Sequence, residues 1–201
     1  SVGEVGVAAA LLPALKERHP NLRIVISTVT ETGREAASRL AGVEKIIYLP
    51  FDFPSAIRRV LSRLRPSALA VVETELWPNL IREANRRNLP VAIVNGPLSK
   101  RSFIRYSYLS ALLHPLLNSI NGVAARNETD SARFKALGAS RVVSTGNIKF
   151  DMHPPRPPGD ISTERKRFAL EGTDPVIVAG STHPREEAKI GRCFKELAMQ
   201  Y

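Results

Sequence analysis

With 201 residues, 43% of them hydrophobic, the chain can bury one ordinary core or two small ones. No apolar run reaches the roughly 18 residues of a bilayer-spanning helix, and the single cysteine, Cys193, excludes an internal disulfide framework and suits a reducing compartment. The net charge of +10 leaves nucleic acid and an anionic membrane surface open as partners, but the basic residues form no long run and solvated helix faces account for most of them.

The chain opens on SVGEVGVAAALLPAL, where a small-residue turn carrying Glu4 stands directly before an apolar helix. Gly3 and Gly6 keep that turn sparse enough for a substrate to approach, and a helix N-terminus favours a carboxylate. Glu4 therefore reads either as a helix cap or as a general base acting on a hydroxyl. Short β-branched runs then alternate with helical patterns. RIVISTVT (23–30) and KIIYL (45–49) read as strands, and STVTETG (27–33) as a helix cap, with a sugar contact as the lesser alternative. Ile57, Val60, Leu61 and Leu64 follow i, i+3, i+4, i+7 and predict one buried helix face.

ALAVVE (68–73) is a third apolar strand and runs into ETELWPN (73–79). Glu73 and Glu75 concentrate negative charge at the end of that strand, and Trp77, the only tryptophan, offers a platform for a sugar. The plainer reading pairs Glu73 with an arginine, makes Glu75 a helix cap and puts Trp77 in the core. Pro78 suits the first turn of a helix running toward Asn88. After the strand VAIVN (91–95), NGPLSKRS (95–102) offers Asn95, Ser99 and Ser102 as amide and hydroxyl partners, with Lys100 and Arg101 as cations for phosphate. SKRSFIRYSY has the aromatic and basic mixture of a nucleic-acid surface, yet Phe103, Tyr106 and Leu109 recur at helical spacing and predict core packing.

GVAAR (122–126) and RVVST (141–145) complete the strands, and Gly138 stops the helix between them. TGNIKFD (145–151) brings Asn147 and Lys149 near the same cleft, or simply shapes the exit of the chain. Near-continuous apolar strands alternating with helices predict a doubly wound, Rossmann-like α/β domain over 1–152, its parallel sheet covered on both faces. HPPRPPGD (153–160) carries four prolines in eight residues and reads as an interdomain linker. A helix from Ile161, a strand PVIVAG (175–180) and a helix over 184–200 then open a second α/β domain, 161–201. In AGSTH (179–183), Gly180, Ser181 and Thr182 would turn backbone N–H groups toward an anion at a helix N-terminus, and His183 is either structural or an added cation. His, Cys and carboxylates nowhere show metal-ligand spacing. Both ends read as cut.

SVGE, ETELWPN, NGPLSKRS, TGNIKFD and AGSTH, in this order, make the chain resemble the bacterial 3-deoxy-D-manno-octulosonic acid (Kdo) transferases from Ser1 to about Glu187. The resemblance implies the N-terminal, acceptor-binding half of a GT-B glycosyltransferase with the beginning of its donor domain, inactive in isolation. It implies metal-independent, inverting transfer of Kdo from CMP-Kdo to the lipid A precursor (lipid IVA) in lipopolysaccharide synthesis, without a cofactor. Glu4 would be the base. Gly3, Glu73, Glu75, Asn95, Ser99, Lys100 and Arg101 would serve the acceptor, and Gly180, Ser181, Thr182 and His183 the donor. The family works at the cytoplasmic face of the inner membrane, so an anionic membrane surface rather than nucleic acid becomes the expected partner, with an anchoring helix outside this chain. The sequence departs from the family at Pro97, where arginine is usual, and Pro97 stays out of the site. The rivals are another GT-B enzyme, such as a nucleotide-sugar epimerase or a different glycosyltransferase, and a non-catalytic basic module binding anionic lipid or RNA.

Overall fold

The computed structural model describes residues 1–152, 161–170 and 177–198. They fall into two compact units, Ser1–His153 and Pro154–Tyr201. The first unit runs α1 (Val2–Arg18), β1 (Val25–Thr28), α2 (Glu31–Ser38), β2 (Lys45–Tyr48), α3 (Pro54–Leu64), β3 (Leu69–Val72) and α4 (Pro78–Asn85). It continues with β4 (Val91–Gly96), α5 (Lys100–Ser107), α6 (Ser110–Asn118), β5 (Gly122–Ala125), α7 (Glu128–Ala136), β6 (Val142–Ser144) and a 3-10 turn, Ile148–Phe150. The second unit contains α8 (Ile161–Arg167) and α9 (Glu186–Ala198).

All strand pairs are parallel. β1 pairs with β2, Val25 beside Lys45 through Thr28 beside Tyr48. β3, β4, β5 and β6 form a second sheet in that order. In β4, Val91, Ile93 and Asn95 are sealed on one face while Ala92 and Val94 are half-buried on the other. A strand covered on both sides is what a parallel sheet wrapped by helices demands. Ile57 and Leu61 of α3, Ile81 and Ala84 of α4, Leu117 of α6 and Phe134 of α7 close around this sheet. Val60 and Leu64 flank the buried face of α3 at intermediate exposure.

Three helices begin on a local side-chain cap. The Thr30 hydroxyl accepts from the Gly33 N–H at 3.1 Å, so STVTETG starts α2. Ser99 does the same for α5 and Asn127 for α7. α7 ends at Gly138, whose φ of +106 and the His114 ring atom 2.4 Å from any added Cβ exclude other residues. α4 is different. Trp77 occupies its N-cap without a side-chain bond, and the cap comes from Asp52, 27 residues earlier. Asp52 Oδ2 accepts from the Asn79 N–H at 2.8 Å and Oδ1 from the Leu80 N–H at 2.9 Å, while Asn79 Nδ2 donates to the Asp52 carbonyl at 2.6 Å. A cap role for Glu75 is therefore excluded, and Trp77 leans half-buried on the core.

Three expectations change. The helix after Pro78 stops at Asn85 rather than near Asn88, which takes a left-handed φ of 53. Phe103 and Tyr106 do pack on the core, but Leu109 is 51% exposed, because α5 ends at Ser107 and the helical spacing breaks. Ile177–Gly180 has no regular structure where a strand was expected, since the described part of the second unit offers only helices and no strand to pair with. Pro175, Val176 and the proline-rich 153–160 segment lie outside the described residues.

Asp52→Ala should lower the unfolding free energy by about 1–2 kcal/mol, the usual scale of a lost N-cap. Glu75→Ala should stay within about 0.5 kcal/mol of the parent. Urea denaturation of both variants checks the contrast.

Candidate active site at the carboxyl edge of the sheet

Four consecutive strands deliver one polar residue each to the carboxyl edge, where open parallel sheets meet their ligands. Glu73 follows β3, Asn95 lies at the end of β4, Arg126 follows β5, and Lys149 sits in the turn after β6. Glu73 (φ 61) and Asn95 (φ 54) both occupy the left-handed region. That costs a non-glycine residue on the order of 1–2 kcal/mol and persists only where surrounding bonds hold it. For Glu73 those bonds are its N–H to the Val94 carbonyl at 2.8 Å and two ion pairs. For Asn95 the cause is a register shift between β4 and β5 at Ile93 and Gly96, which turns its side chain inward.

Asn95 is fully buried. Its Oδ1 accepts from the Ile148 N–H at 3.1 Å and its carbonyl from Arg126 Nε at 3.3 Å. Its Nδ2 is the one buried side-chain polar atom without a partner among the described residues. The amide thus ties the end of β4 to the turn that carries Lys149. Arg126 Nη2 at 2.6 Å and Lys149 Nζ at 2.8 Å both converge on Glu73 Oε1. Two cations on one carboxylate leave a surplus positive charge at this edge.

The same turn lies against α1. A Cβ placed on Gly3 would stand 3.8 Å from Lys149 Nζ, an ordinary contact, so the ammonium lies beside the first turn of α1. A Cβ on Gly6 would stand 2.6 Å from Met152 Cε. Gly6 therefore makes room for Met152 and not for a substrate, which corrects the expectation drawn for it. Glu4 lies inside the first turn of α1 rather than in a turn preceding it. Its carboxylate accepts from the Ser1 backbone nitrogen at 2.7 Å, one half of a capping box, and from the Ser1 hydroxyl at 3.0 Å, and its side chain keeps 28% exposure.

Gly3, Glu73 and Asn95 are thus linked through Lys149 and its turn, with Glu4 one residue from Gly3. Glu75 is exposed and makes no hydrogen bond or ion pair among the described residues. Ser99 is engaged as the α5 cap, and Lys100 and Arg101 are exposed in the first turn of that helix, without ion-pair partners among the described residues. The Pro97 carbonyl accepts from the Thr74 hydroxyl. The sequence does not single out Arg126, and it leaves Lys149 between ligand contact and linker shape. The available signal was a lone basic residue closely following an apolar strand, as in GVAAR and TGNIK.

In the second unit, Gly180–His183 precedes α9, with Ser181 at φ 56. The Thr182 hydroxyl donates to Glu187 Oε1 at 2.7 Å and holds that carboxyl below its ordinary pKa. The His183 N–H donates to Glu186 Oε2 at 2.9 Å. Thr182 and His183 are thus tied to carboxylates of α9 through a hydroxyl and a backbone N–H. No cluster of three or more His, Cys, Asp or Glu suited to a metal ion occurs among the described residues.

A sequence model of the family described as 3-deoxy-D-manno-octulosonic-acid transferase (kdotransferase) matches residues 1–152. A 3-deoxy-D-manno-octulosonic acid transferase of Haemophilus influenzae is 35% identical over 100% of this chain and 48% of its own length. A bifunctional glycosyltransferase/methyltransferase of Fusobacterium nucleatum is 36% identical over 98% of this chain and 31% of its own length. The chain spans about a third to a half of these relatives. The solved Staphylococcus aureus MnaA–UDP co-structure matches with a TM-score of 0.55 at 15% identity, over 83% of this chain and 49% of that one. That likeness shows the fold alone, a Rossmann-like unit of the GT-B kind. With a family match across residues 1–152 of 201, the chain belongs to the 3-deoxy-D-manno-octulosonic acid transferase family.

Proposed function

We propose that this chain carries the acceptor side of an enzyme that transfers Kdo from CMP-Kdo to a hydroxyl of the lipid A precursor. The observation that best supports the reading is the meeting of the Glu4 turn with the Glu73–Arg126–Lys149 cluster at the carboxyl edge of the sheet. In this reading Glu4 removes the proton from the acceptor hydroxyl as its oxygen attacks the anomeric carbon, and configuration there inverts. The bond from that carbon to the CMP phosphate breaks, and the departing charge is met by cations and helix N-termini. Lys149, held by Glu73 and by the Asn95 tie, lies beside Gly3, the residue next to Glu4.

Glu73 is then a positioning residue, and Gly3 the gap through which the acceptor approaches. Lys100 and Arg101, in the first turn of α5, are proposed partners of an acceptor phosphate, with Glu75, Asn95 and Ser99 nearer the sugar. On the donor side, Gly180, Ser181, Thr182 and His183 would take the CMP phosphate. That requires Thr182 and His183 to exchange Glu186 and Glu187 for the ligand. The domain assignment follows: 1–152 for the acceptor, 161–201 opening the donor domain. The enzyme would act at the cytoplasmic face of the inner membrane.

In the full-length enzyme, Glu4→Gln should keep fold and lipid binding while turnover falls by about 10² or more, the scale of lost general-base assistance. Near-normal turnover from a folded variant would remove Glu4 from that role. Lys149→Met should lower kcat by at least about tenfold and Lys149→Arg should recover part of it, whereas Glu75→Gln should act mainly through KM. Steady-state assays on the three variants separate these outcomes, and an unchanged kcat in Lys149→Met would detach the cluster from the chemistry.

A further inference from the structure

Among the described residues, Glu73 and Glu83 each hold two cations, and the two clusters are built differently. Glu83, at 5% side-chain exposure, takes two arginines, Arg58 at 3.5 Å and Arg86 at 2.6 Å. Glu73 takes one arginine and one lysine at the carboxyl edge of the sheet. Arg126 is held at two points, Nη2 on Glu73 Oε1 at 2.6 Å and Nε on the Asn95 carbonyl at 3.3 Å, and 21% of its side chain is exposed. Lys149 has one ion-pair partner among the described residues, Glu73 at 2.8 Å, and 40% of its side chain meets water. Its backbone is fixed, since the Ile148 N–H donates to Asn95 Oδ1 at 3.1 Å and its own N–H to Asn147 Oδ1 at 3.2 Å. The ammonium can therefore swing on a flexible four-carbon stem from a fixed anchor.

We propose that Lys149 exchanges Glu73 for an oxyanion of the ligand, and that Arg126 is the positioning residue that permits the exchange by keeping Glu73 paired. A carboxylate with 22% exposure is costly to leave without a partner, so a lysine that was its only cation would be hard to draw away. With Arg126 in place the departure of Lys149 strands no charge. The charge count points the same way. Two cations against one carboxylate leave room for one further negative charge, and an incoming oxyanion balances the cluster. A phosphate or a carboxylate meets this need, because an ammonium with three donors pairs with either. The exchange rests on the carboxyl edge being the reaction centre, as proposed above, but not on Glu4 being the base.

The test is an NMR titration of the 201-residue chain, labelled at the lysine Cε, with inorganic phosphate and separately with free Kdo, a sugar carboxylate. The Lys149 signal should move to saturation with at least one of them, and binding should weaken as salt rises. Phosphate without Kdo assigns the group to a phosphorylated substrate, and Kdo without phosphate assigns it to the carboxylate of the donor sugar. Binding of neither overturns the proposal. Lys149→Met leaves the Arg126–Glu73 pair in place and should weaken binding by about tenfold or more, the scale of a lost charge-assisted bond. Arg126→Met should weaken it similarly, because Lys149 is then held by an otherwise unpaired Glu73, and Arg126→Lys should recover most of the loss. Lys149→Met/Arg126→Met should bind about as weakly as Lys149→Met alone, since the arginine acts through the lysine. If the two losses multiply instead, Arg126 itself touches the anion and the exchange is wrong. Glu73→Gln/Arg126→Met removes the competing carboxylate together with the need for the arginine, and should return affinity to within about threefold of the parent. Continued weak binding there, with unchanged circular dichroism, would also overturn the proposal. Glu4→Gln should bind the anions at least as well as the parent, so failure of the general-base mechanism and failure of the exchange give different results.

Discussion

One carboxylate oxygen organises the edge of this domain. Glu73 Oε1 receives both Arg126 and Lys149, and each cation arrives from a different strand. Take that oxygen away and two positive groups face each other at half-buried positions, where water screens them poorly. The left-handed backbone at Glu73 is the cost of aiming the carboxylate there. The inward amide of Asn95 supplies the matching constraint, because it fixes the turn that brings Lys149 within reach. Sheet, turn and first helix are thereby placed relative to one another by polar contacts that a hydrophobic core alone would not specify.

The alternation of strands and helices is legible because short apolar, β-branched runs and period-3.6 patterns are local properties of the chain. Ile57 and Leu61 announce their burial through spacing, and Gly138 its turn through residue type. The pairing of Glu73 was half legible. A carboxylate at the end of an apolar strand suggests a cation, but 53 residues separate it from Arg126, and only the order of strands brings them together. Asp52 was invisible for the same reason. Its partners are two backbone N–H groups on another helix, and no pattern around FDFPS signals them. The Glu75 cap failed because a nearer carboxylate in sequence lost to a better placed one in space.

The charge of +10 has a mixed answer. Arg23, Arg34 and Arg39 pair with carboxylates at the surface, whereas Arg58 and Arg86 share the buried Glu83. Such exposed pairs add little to stability. α3 and α5 carry no acid of their own, and Arg59, Arg63, Lys100, Arg101 and Arg105 have no ion pair among the described residues. Composition cannot separate these two kinds of basic surface, since it counts charges without their neighbours.

The notch at Gly6 has a mechanical meaning. Met152 fills it, and three residues earlier Lys149 lies against Gly3, so the strap leaving β6 grips α1 at two points one helical turn apart. The strap is also the path by which the chain departs from the first unit. Tension along it is delivered to the turn that holds Glu4 before it reaches the sheet. A flexible thioether as the contact makes this a compliant joint rather than a rigid strut, able to slide a little without breaking a hydrogen bond. A side chain at position 6 would push the Met152 methyl out of the notch and loosen this grip on the first turns of α1.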